Sequence, residues 1–322
     1  MFIRTSRTHR TTRAAGRAIA TLLLVVAAGA CADQPTTTAP SFPLVREPSL
    51  ARSNGAKGRI VYVSNHDYQF GNDIYRMNAD GSDVTRLTVT QSSNLDPAWS
   101  PDGRRIAFSS RPPAGDEEIW VMNADGTGLQ QLTFSPGGDV TPSWSKDGSR
   151  IAFVSHRDGN PEIYVMNADG TGATRITDSP GADQGPMWSP DGKRIAFLSD
   201  RLDPGGQEWE LYTMDPDGTR ITRLTLLHAF VNFVSWHPKG RHIAFSTQEG
   251  IFVISVDGSQ LTQILSDADG DGWDPSWSPD GRRIAFTTDR DGGYEIYSMD
   301  PDGTAQTRLT HAFASYRADW GK

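Results

Sequence analysis

Three aspartates at alternate positions, Asp267, Asp269 and Asp271, lie in the stretch DADGDG (267–272) and are followed by Gly272. Oxygen donors at that spacing, with a glycine for the sharp turn, open a calcium-binding loop, because Ca2+ is held by several hard oxygen ligands. The bidentate acid that completes such a loop belongs at its twelfth position, and Ser278 stands there. These three aspartates are the candidate Ca2+ ligands; no other cofactor is expected. A second set of groups with acid–base chemistry recurs: Arg111, Arg157, Arg201 and Arg290 close one apolar run, and Glu118, Glu162, Glu210 and Glu295 open the next. In a further unit His66 and Asp73 take these places. In another, Gln248 and Gly250 do, so that both charges are lost together. Acid–base catalysis uses one special pair. A pair repeated along the chain predicts a cross-hairpin ion pair instead. Nucleophile, zinc and phosphate-loop signatures are missing: there is no G-x-S-x-G, no H-E-x-x-H and no glycine-rich strand-to-helix turn. The histidines are scattered, with His228 and His311 each opening a HAF triplet. No catalytic residue is assigned.

The elements that carry these residues are set by a repeat. WSPDG occupies 99–103 and returns at 188–192 and 277–281, with WSKDG at 144–148 and WHPKG at 236–240. Trp99, Trp144, Trp188, Trp236, Trp277 and Trp320 are 45, 44, 48, 41 and 43 residues apart. That period matches one four-stranded propeller blade. Within a unit the tryptophan segment reads as a first strand and PDG as a tight turn, with proline fixing φ and glycine accepting a positive one. RIAF reads as a second strand, EIYVMN as a third, ADG as another turn and TRLT as a fourth strand. Small residues Ala107, Ala152, Ala196, Ala244 and Ala285 each stand beside a phenylalanine, where a neighbouring sheet can approach closely. The tryptophans are expected to pack between blades. The unit at 58–88 lacks a tryptophan strand and the last unit has only YRADWGK. The C-terminal strand therefore supplies the first blade's missing strand, which predicts an all-β, six-bladed propeller of four-stranded antiparallel blades with no open edge.

This repeat resembles the WD-like repeat of the TolB propeller family, over residues 58–322 and through six units rather than one motif. The resemblance implies the propeller fold and, more loosely, a place in the bacterial envelope among protein partners. It covers only the propeller, since no α/β domain precedes residue 58.

The N-terminal segment reads as an export signal. Arg4, Arg7, Arg10, Arg13 and Arg17 form a basic region without acids, and AIATLLLVVAAGA (18–30) is uncharged and too short to span a bilayer comfortably. AAGAC resembles a lipoprotein signal, with Cys31, the single cysteine, as the lipid-bearing residue. Residues 31–57 are rich in Pro, Thr and Ser and read as a flexible tether. Loss of residues 1–30 leaves 26 basic against 39 acidic residues, a net charge of −13. Such a balance argues against a nucleic-acid partner. The expectation is a monomeric, exported lipoprotein, periplasmic or at the cell surface, touching the membrane only through its anchor.

The two ends of such a propeller differ. PDG and ADG turns at one end hardly vary; loops at the other vary strongly and carry Tyr68, Phe70, Trp209, Phe230, Trp273 and Tyr316, residue types enriched at binding hot spots. Each aromatic either covers its own blade or meets a ligand. Six residues beyond the end of the fourth strand stand Asn94, Asp139 and Asp183, which read either as Asx turns or as a partial acidic ring at the channel mouth. The sequence favours a non-catalytic protein- or peptide-binding propeller acting through the variable face and channel mouth. The alternatives are a metal-dependent polysaccharide lyase or hydrolase and an accessory propeller partnering a peptidase.

Overall fold

The computed structural model describes residues 57–65, 71–206, 208–266, 272–311 and 314–322. Cys31, Tyr68, Phe70, Asp267, Asp269 and Asp271 lie outside the described residues, as do the signal and nearly all of the tether. The described strands form six four-stranded antiparallel sheets. Blade three shows the pattern: Asp139–Trp144 innermost, then Arg150–Ser155, Glu162–Asn167 and the short outer strand Thr174–Arg175. The inner strands of blades two to six are Ser93–Trp99, Asp139–Trp144, Asp183–Trp188, Asn232–Trp236 and Trp273–Trp277. Each touches the next around the ring. Blade one takes its inner strand, Ser315–Gly321, from the far end of the chain. It pairs antiparallel with Arg59–Ser64 in the register Arg59 to Gly321, Ile60 to Trp320 and Val63 to Tyr316. The ring is closed as the repeat requires.

The recurring pentapeptide is a self-stapled turn. The Ser100 hydroxyl donates to the Asp102 carboxylate at 2.6 Å and accepts from the Arg105 amide at 2.9 Å, while Asp102 also accepts from the Arg104 amide at 3.1 Å. Gly103 then sits at φ 68°, which a side chain would strain. Ser145–Asp147, Ser189–Asp191 and Ser278–Asp280 repeat the staple. At the ADG turns the aspartate binds the residue two further on, as Asp125 does with the Thr127 amide and hydroxyl.

Blade contacts explain the alanines. Ala107, Ala152, Ala196, Ala244 and Ala285 are fully buried, and each belongs to the apolar cluster of the following blade. Ala152 lies with Trp188, Ile195 and Phe197 of blade four, for example. Trp99, Trp144, Trp188, Trp236, Trp277 and Trp320 are buried at these interfaces. Trp144 and Trp236 donate their indole N–H to the preceding blade's Ala98 and Met187 carbonyls at 3.2 and 3.0 Å.

Blade five departs from the repeat: His237 replaces the staple serine and accepts from the Lys239 amide at 3.1 Å. Its ring meets Trp277 of blade six edge-on at 4.6 Å. Burial first, then the charges of His242, Lys239 and Arg241, hold its pKa down at about 4 against an ordinary 6.5. The unfolded chain therefore binds the proton first, so stability is whole above the ordinary value and falls as pH drops towards 4. In thermal melts from about pH 7.5 to about pH 4.5, the wild type is expected to lose more stability than His237→Ser, which restores the staple residue. Parallel pH profiles for the two proteins would exclude this role for His237.

Candidate functional site

The variable end is organised by ion pairs, though not the expected ones. Two of the arginines that close second strands turn back to the inner strand: Arg157 reaches Asp139 at 2.9 Å and Arg201 reaches Asp183 at 3.0 Å, whereas Arg290 donates to Gln306 beside the outer strand. The glutamates that open third strands face the outer strand instead, where Glu162 meets Arg175 at 2.7 Å and the Thr177 hydroxyl at 2.6 Å. Glu295 repeats this with Arg308 at 2.8 Å and with Thr310. Glu118 accepts from Thr133 at 2.6 Å, and Glu210 accepts from Thr225 and from the Leu227 and His228 amides. The predicted Arg–Glu cross-hairpin pair is thus replaced, in full in blade three, by two separate pairs, Arg157 with Asp139 and Glu162 with Arg175. The reason is local: the threonine hydroxyl also accepts from the third-strand amide, as Thr177 does from Ile163 at 2.8 Å, so the carboxylate that receives its proton must sit on the outer side. Blade five, with Leu265 for threonine, has Gly250 for the acid, and a Cβ there would lie 2.1 Å from the Leu265 carbonyl oxygen. The paired loss was real but its partner was Leu265 rather than Gln248.

These pairs decide where the acidic candidates stand. Asn94, Asp139 and Asp183 are fully buried at the top of their inner strands. Asn94 accepts from the Ser110 hydroxyl at 2.7 Å, and Asp139 accepts from Ser135 at 2.6 Å in addition to Arg157. Burial raises the Asp183 carboxyl, and Ser199 and Arg201 oppose that rise. They are anchors inside the sheets, bonded mainly to side chains of neighbouring strands, and none projects as a free acid at the mouth.

Among the aromatics, Trp209 and Phe230 pack edge to face at 6.1 Å and cover blade four's own connection. Trp273 and Tyr316 behave differently. Both contact Tyr294, at 5.9 and 6.2 Å, giving a run of three rings across blades six and one. Tyr294 is 49% exposed, and Tyr316 donates its hydroxyl to the Asn72 side-chain oxygen at 2.7 Å. Tyr294, not among the expected aromatics, directly precedes Glu295 as Trp209 directly precedes Glu210, so the repeat itself carries a signal for it.

Below this run the channel is lined by a feature with no sequence signature. Three residues before each tryptophan the inner strand bulges, and the residue there is left-handed: Asp96 at φ 51°, Thr141 at 52°, Gly185 at 58°, Phe233 at 42°, Asp274 at 52° and Arg317 at 51°. Five of the six are not glycine, and the left-handed conformation costs such residues about 1–2 kcal/mol each. Arg317 of blade one reaches two other blades. Its guanidinium pairs with Asp96 of blade two at 2.5 Å and lies 5.5 Å from the ring centre of Phe233 of blade five. The Arg317 amide donates to the Asp274 carboxylate of blade six at 3.1 Å. Ser109 stands between Asp96, at 3.1 Å, and Glu117, at 3.2 Å. Burial and then the Asp96 charge push the Glu117 carboxyl up; burial pushes Asp274 up, against the pull of Arg317. The tier therefore holds three carboxyls and one guanidinium.

This gives a direct test of the tier. Arg317→Met keeps the backbone class but removes the counter-charge of Asp96 and Asp274. A buried pair broken on one side costs several kcal/mol; with Arg317 31% exposed the expected loss is about 2 kcal/mol in urea unfolding. Asp96→Asn in the same background is expected to recover part of it, and strictly additive losses would contradict the coupling.

Six four-stranded sheets around an axis, closed by a strand from the far end of the chain, define a six-bladed β-propeller. The family model of the TolB beta propeller domain matches residues 93–177, 136–250 and 235–320, well over half of the chain, and the protein belongs to that family. Among solved structures it is similar to TolB from Acinetobacter baumannii, with a TM-score of 0.72 and 24% identity over 83% of this chain and 67% of that one. The putative TolB from Agrobacterium tumefaciens matches with a TM-score of 0.65 and 21% identity, over 81% of this chain and 92% of that one. A chain of a nidogen/laminin complex shares the fold at 10% identity and a TM-score of 0.66, over 83% of this chain and 99% of that one. No curated protein matches.

Proposed function

We propose that the protein is a non-catalytic binding module of the bacterial cell envelope, which holds a protein or peptide segment at its variable face and channel mouth. It is exported, tethered through a lipid on Cys31, and works as a monomer in the periplasm or at the cell surface. The observation that carries this reading is the contrast between the two ends. At one end the turns satisfy their own polar groups through aspartate staples, leaving little to offer a ligand. At the other, Trp273, Tyr294 and Tyr316 form a partly exposed aromatic run beside a charged channel. Rigid rings next to desolvated charges are the usual material of hot spots. The basic N-terminal region, the short apolar stretch and the −13 charge that remains support export and argue against nucleic acid.

The test is crosslinking in native envelopes with the full chain and with a Trp273→Ala/Tyr294→Ala variant. The variant is expected to melt within a few degrees of the wild type and to recover crosslinked partner at about one tenth the yield or less. Equal recovery would remove the aromatic face from the account.

A further inference from the structure

The channel tier contains polar atoms that its own ion pairs leave unused. Arg317 satisfies Asp96 and spans towards Phe233, so it engages blades two and five. In blades three and six, on opposite sides of the ring, the Thr141 hydroxyl and the Asp274 Oδ1 oxygen are buried without a hydrogen-bond partner. Asp274 is only 9% exposed, and its other oxygen accepts from Thr287 at 3.0 Å and from the Arg317 amide. A buried acceptor left unpaired costs about 1–3 kcal/mol, more when charged, so it favours an incoming donor. There is also room. At Gly185, opposite Arg317, an added Cβ would meet only Leu198 Cδ1, at 3.8 Å. The local charge is acidic, with Asp96, Asp274 and Glu117 set against Arg317. Among the described residues, no three His, Cys, Asp or Glu side chains are grouped closely enough to hold a metal ion. A single carboxylate oxygen, at Asp274, suffices to accept from an organic cation, which brings its own donors.

We propose that this tier receives a basic side chain of the bound segment, with the ammonium or guanidinium head at Asp274 and the aliphatic stem beside Tyr294 and Trp273. The inference rests on the peptide-binding reading and specifies what the segment must carry. Trp273 directly precedes Asp274, and Tyr316 directly precedes Arg317, so the aromatic run and the acidic tier belong to the same two inner strands. The ring faces can accompany a lysine or arginine stem down to the carboxylates.

The experiment titrates the full chain, by calorimetry, with three capped tripeptides, Gly-Lys-Gly, Gly-Arg-Gly and Gly-Glu-Gly, and with putrescine and CaCl2 alone. The lysine and arginine peptides are expected to bind and the glutamate peptide not to. Asp274→Asn is expected to weaken binding about tenfold or more. Asp125→Asn makes the same charge change in an exposed turn at the other end and is expected to leave binding unchanged. Gly185→Lys, which tethers an ammonium inside the tier, is expected to abolish binding, and it carries the test alone if Asp274→Asn does not fold. Four results would overturn the proposal: equal losses in Asp274→Asn and Asp125→Asn, Ca2+ binding that is lost in Asp274→Asn while the peptides do not bind, binding of putrescine but not of the peptides, or full peptide binding by Gly185→Lys. If no peptide binds while envelope crosslinking still depends on Trp273 and Tyr294, the basic-side-chain proposal fails and the face reading stands. Loss of that dependence removes the face reading instead.

Discussion

The structure depends on the pairing of Ser315–Gly321 with Arg59–Ser64. That strand is tied in three directions. It bonds along its length to the first strand; its Trp320 amide donates to Ser276 of blade six at 3.0 Å; and its Asp319 carboxylate accepts from the Trp99 amide of blade two at 2.7 Å. The last two contacts are versions of one inter-blade bond, in which the residue before a tryptophan accepts from the next blade's tryptophan amide, as Ser143 does from Trp188 and Ser235 from Trp277. Only the closing blade uses a carboxylate for it, and burial pushes that carboxyl up to about 6. Without this strand, blade one would lose its inner edge and blades two and six their neighbour around the ring, leaving unpaired strand edges open to solvent or to other chains.

Closure also makes the channel chemistry attainable. Left-handed non-glycine residues persist only where the surroundings over-determine them. Here each bulge is held between its own second strand and the adjacent inner strands. Arg317 and Asp274, from the last blade to be completed and its neighbour, are fixed relative to Asp96 only once the ring is shut. Strain distributed over five residues is thereby turned into a fixed arrangement of charges near the axis. The aromatic run above it has the same origin, since Tyr316 and Trp273 sit on the inner strands immediately before the bulges.

Much of this was legible in the sequence because it is repeated. The tryptophan period and the two incomplete terminal units lead to six blades and to the closing strand, and the alanine beside each phenylalanine marks the interblade contact. The Glu–Thr bond was equally legible, since Glu118, Glu162, Glu210 and Glu295 each precede their threonine by 15 residues and blade five loses both. The opposite charges on adjacent strands are the more conspicuous pattern, but they do not mark the bond that forms. The channel tier was not legible. Asp, Thr, Gly, Phe, Asp and Arg share no chemistry, and only the backbone conformation makes them equivalent. Tyr294 matches Trp209 in the repeat, but its importance comes from the rings that the closed fold brings to it.

Ring closure is tested most directly by native-state hydrogen exchange followed by mass spectrometry on peptides that cover the inner strands. The account predicts that the amides of Ser315–Gly321 exchange as slowly as those of Asp139–Trp144, because both lie inside complete sheets flanked by neighbouring blades. Exchange of the C-terminal strand near the rate of an unstructured peptide, with the blade-three strand still protected, would contradict it.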